Sequence, residues 1–240
     1  MGLEIRLIVS WPPGGTVDVN ARILGPAVSK SIGQQIVIDN RAGASGIIGT
    51  AEAARARPDG YTLLINTTPL VTNTLMYSKV PYNVLKDFEA ISILSTTPSF
   101  VSVHPSVPAR SVRELLALAR PRPGALNYAG AGTGTNPHIA GELFNLLGKV
   151  NIQAVQFKGG GPALFVAWFV LAAPKGTPRE IILALNDHFR KAMASPDTIK
   201  RFEAEGLDVV GSSPERAAAT MESELKKYAV LIRERGMKAD

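Results

Sequence analysis

The sequence predicts an α/β protein built as two lobes with a cleft between them, and three observations carry that reading. Apolar runs alternate with glycine-bearing loops and amphipathic helical stretches at the start of the chain, and a second series of the same kind follows after residue 100. Such alternation implies parallel strands joined by right-handed crossovers. Two longer apolar stretches, Ile91 to Val103 and Trp168 to Ala173, stand beside the second series and read as strands that cross between the lobes. Lobe 1 is then expected to hold residues 1–99 and 170–240, and lobe 2 residues 100–169.

The elements follow in order. Ile5 to Val9 reads as a strand, and Val17 to Ser31 as an amphipathic helix stopped at Gly33. Between them, Gly14 and Gly15 allow a tight turn, Thr16 is a candidate N-cap, and Asp18 falls in the first turn, where its charge suits the helix dipole. Gln35 to Asp39 is a second strand, followed by the loop Asn40 to Gly46 and a helix from about Ile47 to Ala56. Tyr61 to Asn66 is a third strand, and Thr68 could cap the helix after it. Pro98 interrupts the next strand pattern, as expected at an edge or a junction. In the second series, Ser111 caps a helix running to Arg120, with Glu114 in the capping-box position. Ala125 to Ala129 is a strand, Gly130 to His138 a glycine and hydroxyl loop, Ile139 to Leu147 a helix, and Ile152 to Phe157 a strand. Lys158-Gly159-Gly160-Gly161-Pro162 opens a further helix. After the returning strand, Thr177 caps a helix to about Ala194, Pro196 starts a short helix, Leu207 to Val210 is a strand, and Ser213-Pro214 starts the last helix, to about Arg235.

Composition removes several function classes. With 45% apolar and 19% charged residues the chain is globular, and no apolar run reaches the length of a membrane span. It has no cysteine, which excludes disulfides, thiolate metal sites and thiol nucleophiles and is compatible with the cytoplasm as well as with an oxidising space such as the periplasm. The net charge is +6, but lysines and arginines lie among acids, as Lys226 and Lys227 lie near Glu222 and Glu224, so no nucleic-acid partner is expected. The opening Met1-Gly2-Leu3-Glu4 runs at once into a strand, so no signal peptide is read there, and an exported protein would have lost it.

Three loops share one chemistry: Gly14-Gly15-Thr16, Thr67-Thr68, and Gly130 to Asn136. Each follows a strand, precedes a helix, and offers amides and hydroxyls with little charge, which suits a carboxylate or phosphate held by neutral donors. Three ordinary capped turns would look the same. The dinucleotide fingerprint fails at Thr135, where its last glycine should stand, and no P-loop lysine follows Gly15. His104, His138 and His188 have no metal-ligand spacing, Ser45 does not sit in a nucleophile elbow, and no catalytic triad or carboxylate pair is found, so neither an enzyme nor a cofactor is expected. The competing reading is an α/β enzyme that binds a phosphorylated or nucleotide substrate through its glycine loops.

Eight stretches resemble the Bug family, the extracytoplasmic solute receptors of tripartite tricarboxylate transporters: Ile5 to Arg22, Asn40 to Thr50, Pro58 to Leu64, Val80 to Ile91, Val103 to Leu116, Pro123 to Phe144, Phe157 to Leu164 and Phe169 to Pro178. The resemblance implies a periplasmic Venus flytrap, like the type II periplasmic binding proteins, with two Rossmann-like lobes. It implies a monomer that closes on a small mono- or dicarboxylate and delivers it to a membrane permease. Carried over by position, the ligand residues are Gly14, Gly15, Thr16 and Asp18; Thr67 and Thr68; Gly132, Thr133, Thr135 and His138; and Lys158 and Gly159. One departure stands out. Phe165 is followed at once by Val166-Ala167-Trp168, so a segment of the second lobe is expected to be missing between 165 and 166, leaving that lobe incomplete. A third reading is a degenerate family member, lacking part of its second lobe, that no longer binds solute.

Overall fold

The computed structural model describes residues 4–98, 100–130, 132–156 and 167–239. Its centre is a six-stranded mixed sheet of order β2-β1-β3-β7-β4-β8. Strands β1 (Ile5–Val9), β2 (Ile36–Asn40) and β3 (Thr62–Asn66) are parallel, with Leu7 opposite both Ile38 and Leu63. This is the β-α-β-α-β start read from the sequence. The connecting helices are α1 (Thr16–Ile32) and α2 (Ile47–Ala54), and a single 3-10 turn, Ala44–Gly46, leads into the second. α3 (Pro69–Met76) leaves β3.

β4 (Phe88–Thr97) and β7 (Ala167–Pro174) run antiparallel to each other in the middle of the sheet. β7 is buried along its whole length, which explains its unbroken apolar run. β4 carries two register shifts, which turn Ser92 and Ser95 into the interior. There Ser92 donates to Ser212 O at 2.9 Å and Ser95 to Asn20 Oδ1 at 2.6 Å. β4 ends at Thr97 and does not continue to Val103, because Pro98 follows and cannot donate to a ladder. Thr97 pairs with Ala167, so the chain leaves the large sheet and returns to it at one place.

Alternation along the strands makes two cores. Ile5, Leu7 and Val9 face α1, α6 (Arg179–Met193) and α7 (Pro196–Ala204), packing with Leu24, Phe189 and Phe202. Ile8 and Leu64 face the other way, toward α2, α3 and α8 (Pro214–Arg235), packing with Leu70, Met221 and Tyr228. β8 (Asp208–Val209) closes the edge against β4.

Among the described residues the second sheet has two parallel strands, β5 (Asn127–Gly130) and β6 (Gln153–Gln156), flanked by α4 (Val112–Ala119) and α5 (Asn136–Gly148). Its buried core is Ala119, Val150 and Ile152. Beside it lies a largely apolar cavity of about 250 Å3, bordered by Val101, Leu115, Tyr128 and Phe144. α5 also leans on the large sheet: Ile139 is buried in the core under α3 and α8, and Arg235 at the end of α8 pairs with Glu142 at 2.7 Å.

Several caps differ from expectation. Gly15 is the N-cap of α1 and Thr16 its first helical residue; Thr68 precedes α3 without a side-chain cap; Pro178, not Thr177, precedes α6. Thr177 instead donates to Pro174 O within the turn, at 2.8 Å. Ser111, Ser195 and Ser213 cap α4, α7 and α8 through their hydroxyls. The expected helix at Pro162 and the junction of Phe165 with Val166 lie outside the described residues.

Candidate functional site

The loops at the carboxyl ends of β1, β2 and β3 are bound into one rim. Trp11 donates its indole N–H to Asn66 Oδ1 at 3.0 Å. Asn66 donates to Thr50 Oγ1 at 2.8 Å, and Thr50 donates to Gly46 O at 2.7 Å. Asn66 and Thr50 are fully buried, so these polar groups need each other. The loop after β2 reaches over β1 only because of its glycines. A Cβ on Gly49 would sit 2.7 Å from Arg41 O and 3.0 Å from Ser10 Cα. Ala44 and Ser45 both take positive φ, 46° and 53°, a conformation held by surrounding structure. Part of that support is Asn73, which donates to Ser45 O at 2.9 Å.

The loop of the second sheet joins this rim. Thr72 on α3 donates its hydroxyl to Gly134 O at 2.8 Å, one residue from the Asn73 that holds Ser45. A Cβ on Gly134 would come within 3.2 Å of the Met76 sulfur. A continuous chain of polar contacts thus runs from Trp11 through Asn66, Thr50 and the Ser45–Gly46 loop, across Asn73 and Thr72, to Gly134. Beneath it, Thr135 donates to Gly132 O at 2.6 Å, and His138 Nδ1 accepts from the Gly134 amide at 3.0 Å. Burial holds the His138 imidazole below its usual pKa, against a smaller opposing pull from Glu142, so the ring is neutral and accepts at Nδ1. Glu142 is in turn engaged by Tyr128 OH at 3.0 Å and by Arg235.

The sequence-derived residues fall into distinct positions on this frame. Gly14, Gly15 and Thr16 are exposed at the mouth of the first loop. Asp18 is only 1% exposed behind them, and its oxygens accept from Gly14 N, Arg22 and Asn40. Burial raises its pKa, but hydrogen bonds from Arg22, Gly14 and Asn40 and the Arg22 charge outweigh that, so the carboxyl stays below its ordinary value. Thr67 and Thr68 are buried at the crossing, where Thr67 donates its hydroxyl to Trp168 O at 2.7 Å. Gly132, Thr133 and Thr135 line the second glycine loop, with Gly132 and Thr133 partly exposed. Lys158 and Gly159 lie outside the described residues. Sequence reasoning missed the frame itself: Trp11, Thr50, Asn66, Thr72 and Asn73. The available signal was a polar residue closing an apolar strand, Asn66 after Leu63-Leu64-Ile65.

Chemically the rim offers backbone amides and hydroxyls. The first-turn amides of α1 and α5 have no intrahelical acceptor, and the dipole makes both ends receptive to an anion. Arg41, close by, is committed to Asp39 at 3.0 Å. Among the described residues no group of acidic and histidine side chains could hold a metal ion, and no helix is long and apolar enough to cross a membrane.

Comparison with known proteins places this arrangement. The family described as the tripartite tricarboxylate transporter family receptor matches residues 20–166 and 164–237. The chain belongs to that family. As one of these receptors it is similar to BugT of Bordetella pertussis, 30% identical over 98% of this chain and 90% of BugT. That alignment spans 292 positions, which is at least 52 more than this chain has residues. Two solved structures share its fold at a TM-score of 0.86 and 27% identity. One, described as a periplasmic transporter, is matched over 99% of this chain and 98% of its own. The other is an R. palustris protein with adipate, matched over 98% of both chains. The receptor is therefore a solute-binding protein of the Bug type, not an enzyme, and it has the two-lobed fold of the periplasmic binding proteins.

Proposed function

We propose that this receptor captures a small mono- or dicarboxylate between its two lobes in the periplasm and delivers it, as a monomer, to the membrane permease of a tripartite tricarboxylate transporter. The observation that carries the reading is the contact of Thr72 with Gly134 O at 2.8 Å, which sets the second-lobe glycine loop against the rim formed by the first three loops. Ligand donors come from Thr16, which Gly14 and Gly15 position, on one side and from Thr133, which Gly132 and Thr135 position, on the other; the Gly14 amide and both donors of Thr135 are spent within their own loops. The adipate bound to the R. palustris neighbour supports a carboxylate as the solute class. No arginine lies in these loops, so the anion is held by neutral donors and helix ends, which avoids a desolvated ion pair that would be costly to break on release.

Lobe 1 comprises residues 1–99 and 170–240 and lobe 2 residues 100–169, with hinges near Pro98 and Trp168. The pairing of Thr97 with Ala167 supports this, because closure concentrates backbone change in few residues. We further infer that lobe 2 lacks a segment its relatives carry, at the junction of Phe165 and Val166, where the two family matches meet.

A thermal-shift screen of mono- and dicarboxylates beside nucleotides and sugar phosphates tests the reading. A carboxylate at about 100 times its Kd should stabilise the protein by about 2.7 kcal/mol. Stabilisation by a nucleotide and by no carboxylate would overturn it.

A further inference from the structure

The first turns of α1 and α5 are built alike. In α1 the N-cap is Gly15 (φ −78°, ψ 163°), preceded by Gly14 at φ 81°. In α5 the N-cap is Thr135 (φ −73°, ψ 163°), preceded by Gly134 at φ 77°. Neither N-cap side chain bonds to its own helix: glycine has none to offer, and the Thr135 hydroxyl turns back to Gly132 O. The residue three positions after each N-cap reaches backward instead. Asp18 Oδ2 accepts from Gly14 N at 2.8 Å, and His138 Nδ1 accepts from Gly134 N at 3.0 Å. In an ordinary capping box the third helical residue reaches the N-cap amide while the N-cap oxygen takes an amide of the first turn. Here the backward bond goes one residue further, and among the described residues no side chain bonds to the first-turn amides.

We propose that Asp18 and His138 are equivalent positioning residues, one in each lobe, that lock their glycine loops from behind and leave the helix ends bare for the two sides of the solute. The inference rests on the receptor reading above and adds how its two jaws are preformed. Asp18 spends three of its roughly four acceptor sites within the protein. Its Oδ2 also takes Arg22 Nε at 2.7 Å, and Oδ1 takes Asn40 Nδ2 at 2.9 Å, while the same Asn40 nitrogen reaches Trp11 O at 3.1 Å. The acid at the mouth of an anion site is thereby neutralised and turned away from it. His138 does the same work uncharged, which suits a lobe whose second jaw has one amide fewer, since Pro137 has no N–H.

The test compares removal of the acceptor with its conservation. Asparagine places an oxygen where either Asp18 Oδ2 or His138 Nδ1 stands. Asp18→Ala and His138→Ala should each speed hydrogen exchange at residues 14–16 or 134–136 in the ligand-free protein at least tenfold, at the altered jaw only. His138→Asn should restore slow exchange, and Asp18→Asn, which keeps an oxygen for the Gly14 amide, should bring exchange well below the rate of Asp18→Ala. Affinity for adipate, or for whichever carboxylate the screen selects, should fall at least tenfold in the alanine variants and stay within about threefold in the rescued ones. Unchanged exchange in the alanine variants, or no rescue by asparagine, would overturn the proposal. The expected exchange pattern in a protein that binds no carboxylate would instead retire the carboxylate reading and leave the positioning role standing.

Discussion

The large and the small sheet of this receptor are made of the same strand–loop–helix units, yet they are stabilised very differently. The large sheet is covered on both faces, and residues such as Leu64, Phe189 and Tyr228 are fully buried. Among the described residues the small sheet has two strands, a cluster of three buried apolar residues and exposed neighbours, among them Leu147 at 74% and Phe100 at 71% exposure. A two-stranded sheet is marginal by itself. What holds the small one is α5, through Ile139, the Glu142–Arg235 pair and the Thr72–Gly134 contact. The lesson is that one side of the proposed solute site rests on a rigid platform, whereas the other borrows its order from that platform.

The largest effect expected from breaking this comparison is in the platform. Phe189→Ala should destabilise the whole protein by about 3–5 kcal/mol and lower a single melting transition. Ile152→Ala, in the small sheet, should cost about 2–3 kcal/mol locally, and hydrogen exchange should accelerate in 100–156 while β1, β3 and β7 remain protected. A uniform acceleration in both sheets would contradict the distinction.

Cutting the borrowed support is expected to have a smaller effect than either. Arg235→Met leaves the Glu142 carboxylate, 11% exposed on its side chain, without its cation, at a cost of about 1–3 kcal/mol. Exchange should rise in α5 and β5 before it rises elsewhere.

The smallest effect is a response to pH. His138 has its folded pKa depressed, so its contribution to stability is complete above the ordinary imidazole value of about 6.5 and is lost as pH falls through the lower folded value. Asp18 is also depressed, but its window opens only below about 3.9. Mild acid should therefore loosen the Gly132–His138 loop while the Gly14–Asp18 loop holds. Imidazole and amide NMR shifts followed from pH 7 to 5 would show it, and His138→Asn should flatten the response.

The same contrast explains what the sequence disclosed. The start of the platform was legible because β1, β2 and β3 are each followed by a clear loop and helix, and they fall within a residue or so of their expected bounds. The continuation of β4 past Pro98 was misread: Val101 and Val103 keep an apolar strand pattern, but without ladder partners that pattern does not make a strand. The glycine loops were visible as donors, whereas the frame beneath them was not. Asn66, Thr50, Thr72 and Asn73 matter through partners 16 to 62 residues away, and nothing local in their sequence marks those partners.

The central claim is that a carboxylate is held by donors from both lobes, and calorimetry tests it most directly. Adipate, malate and related mono- and dicarboxylates would be titrated into the wild-type protein, and the best of them into Thr16→Val and Thr133→Val. Each substitution keeps the side-chain shape and removes a hydroxyl on one side of the cleft, so each should weaken binding by about 1–3 kcal/mol without a comparable loss of stability. Unchanged affinity in both variants would contradict the account.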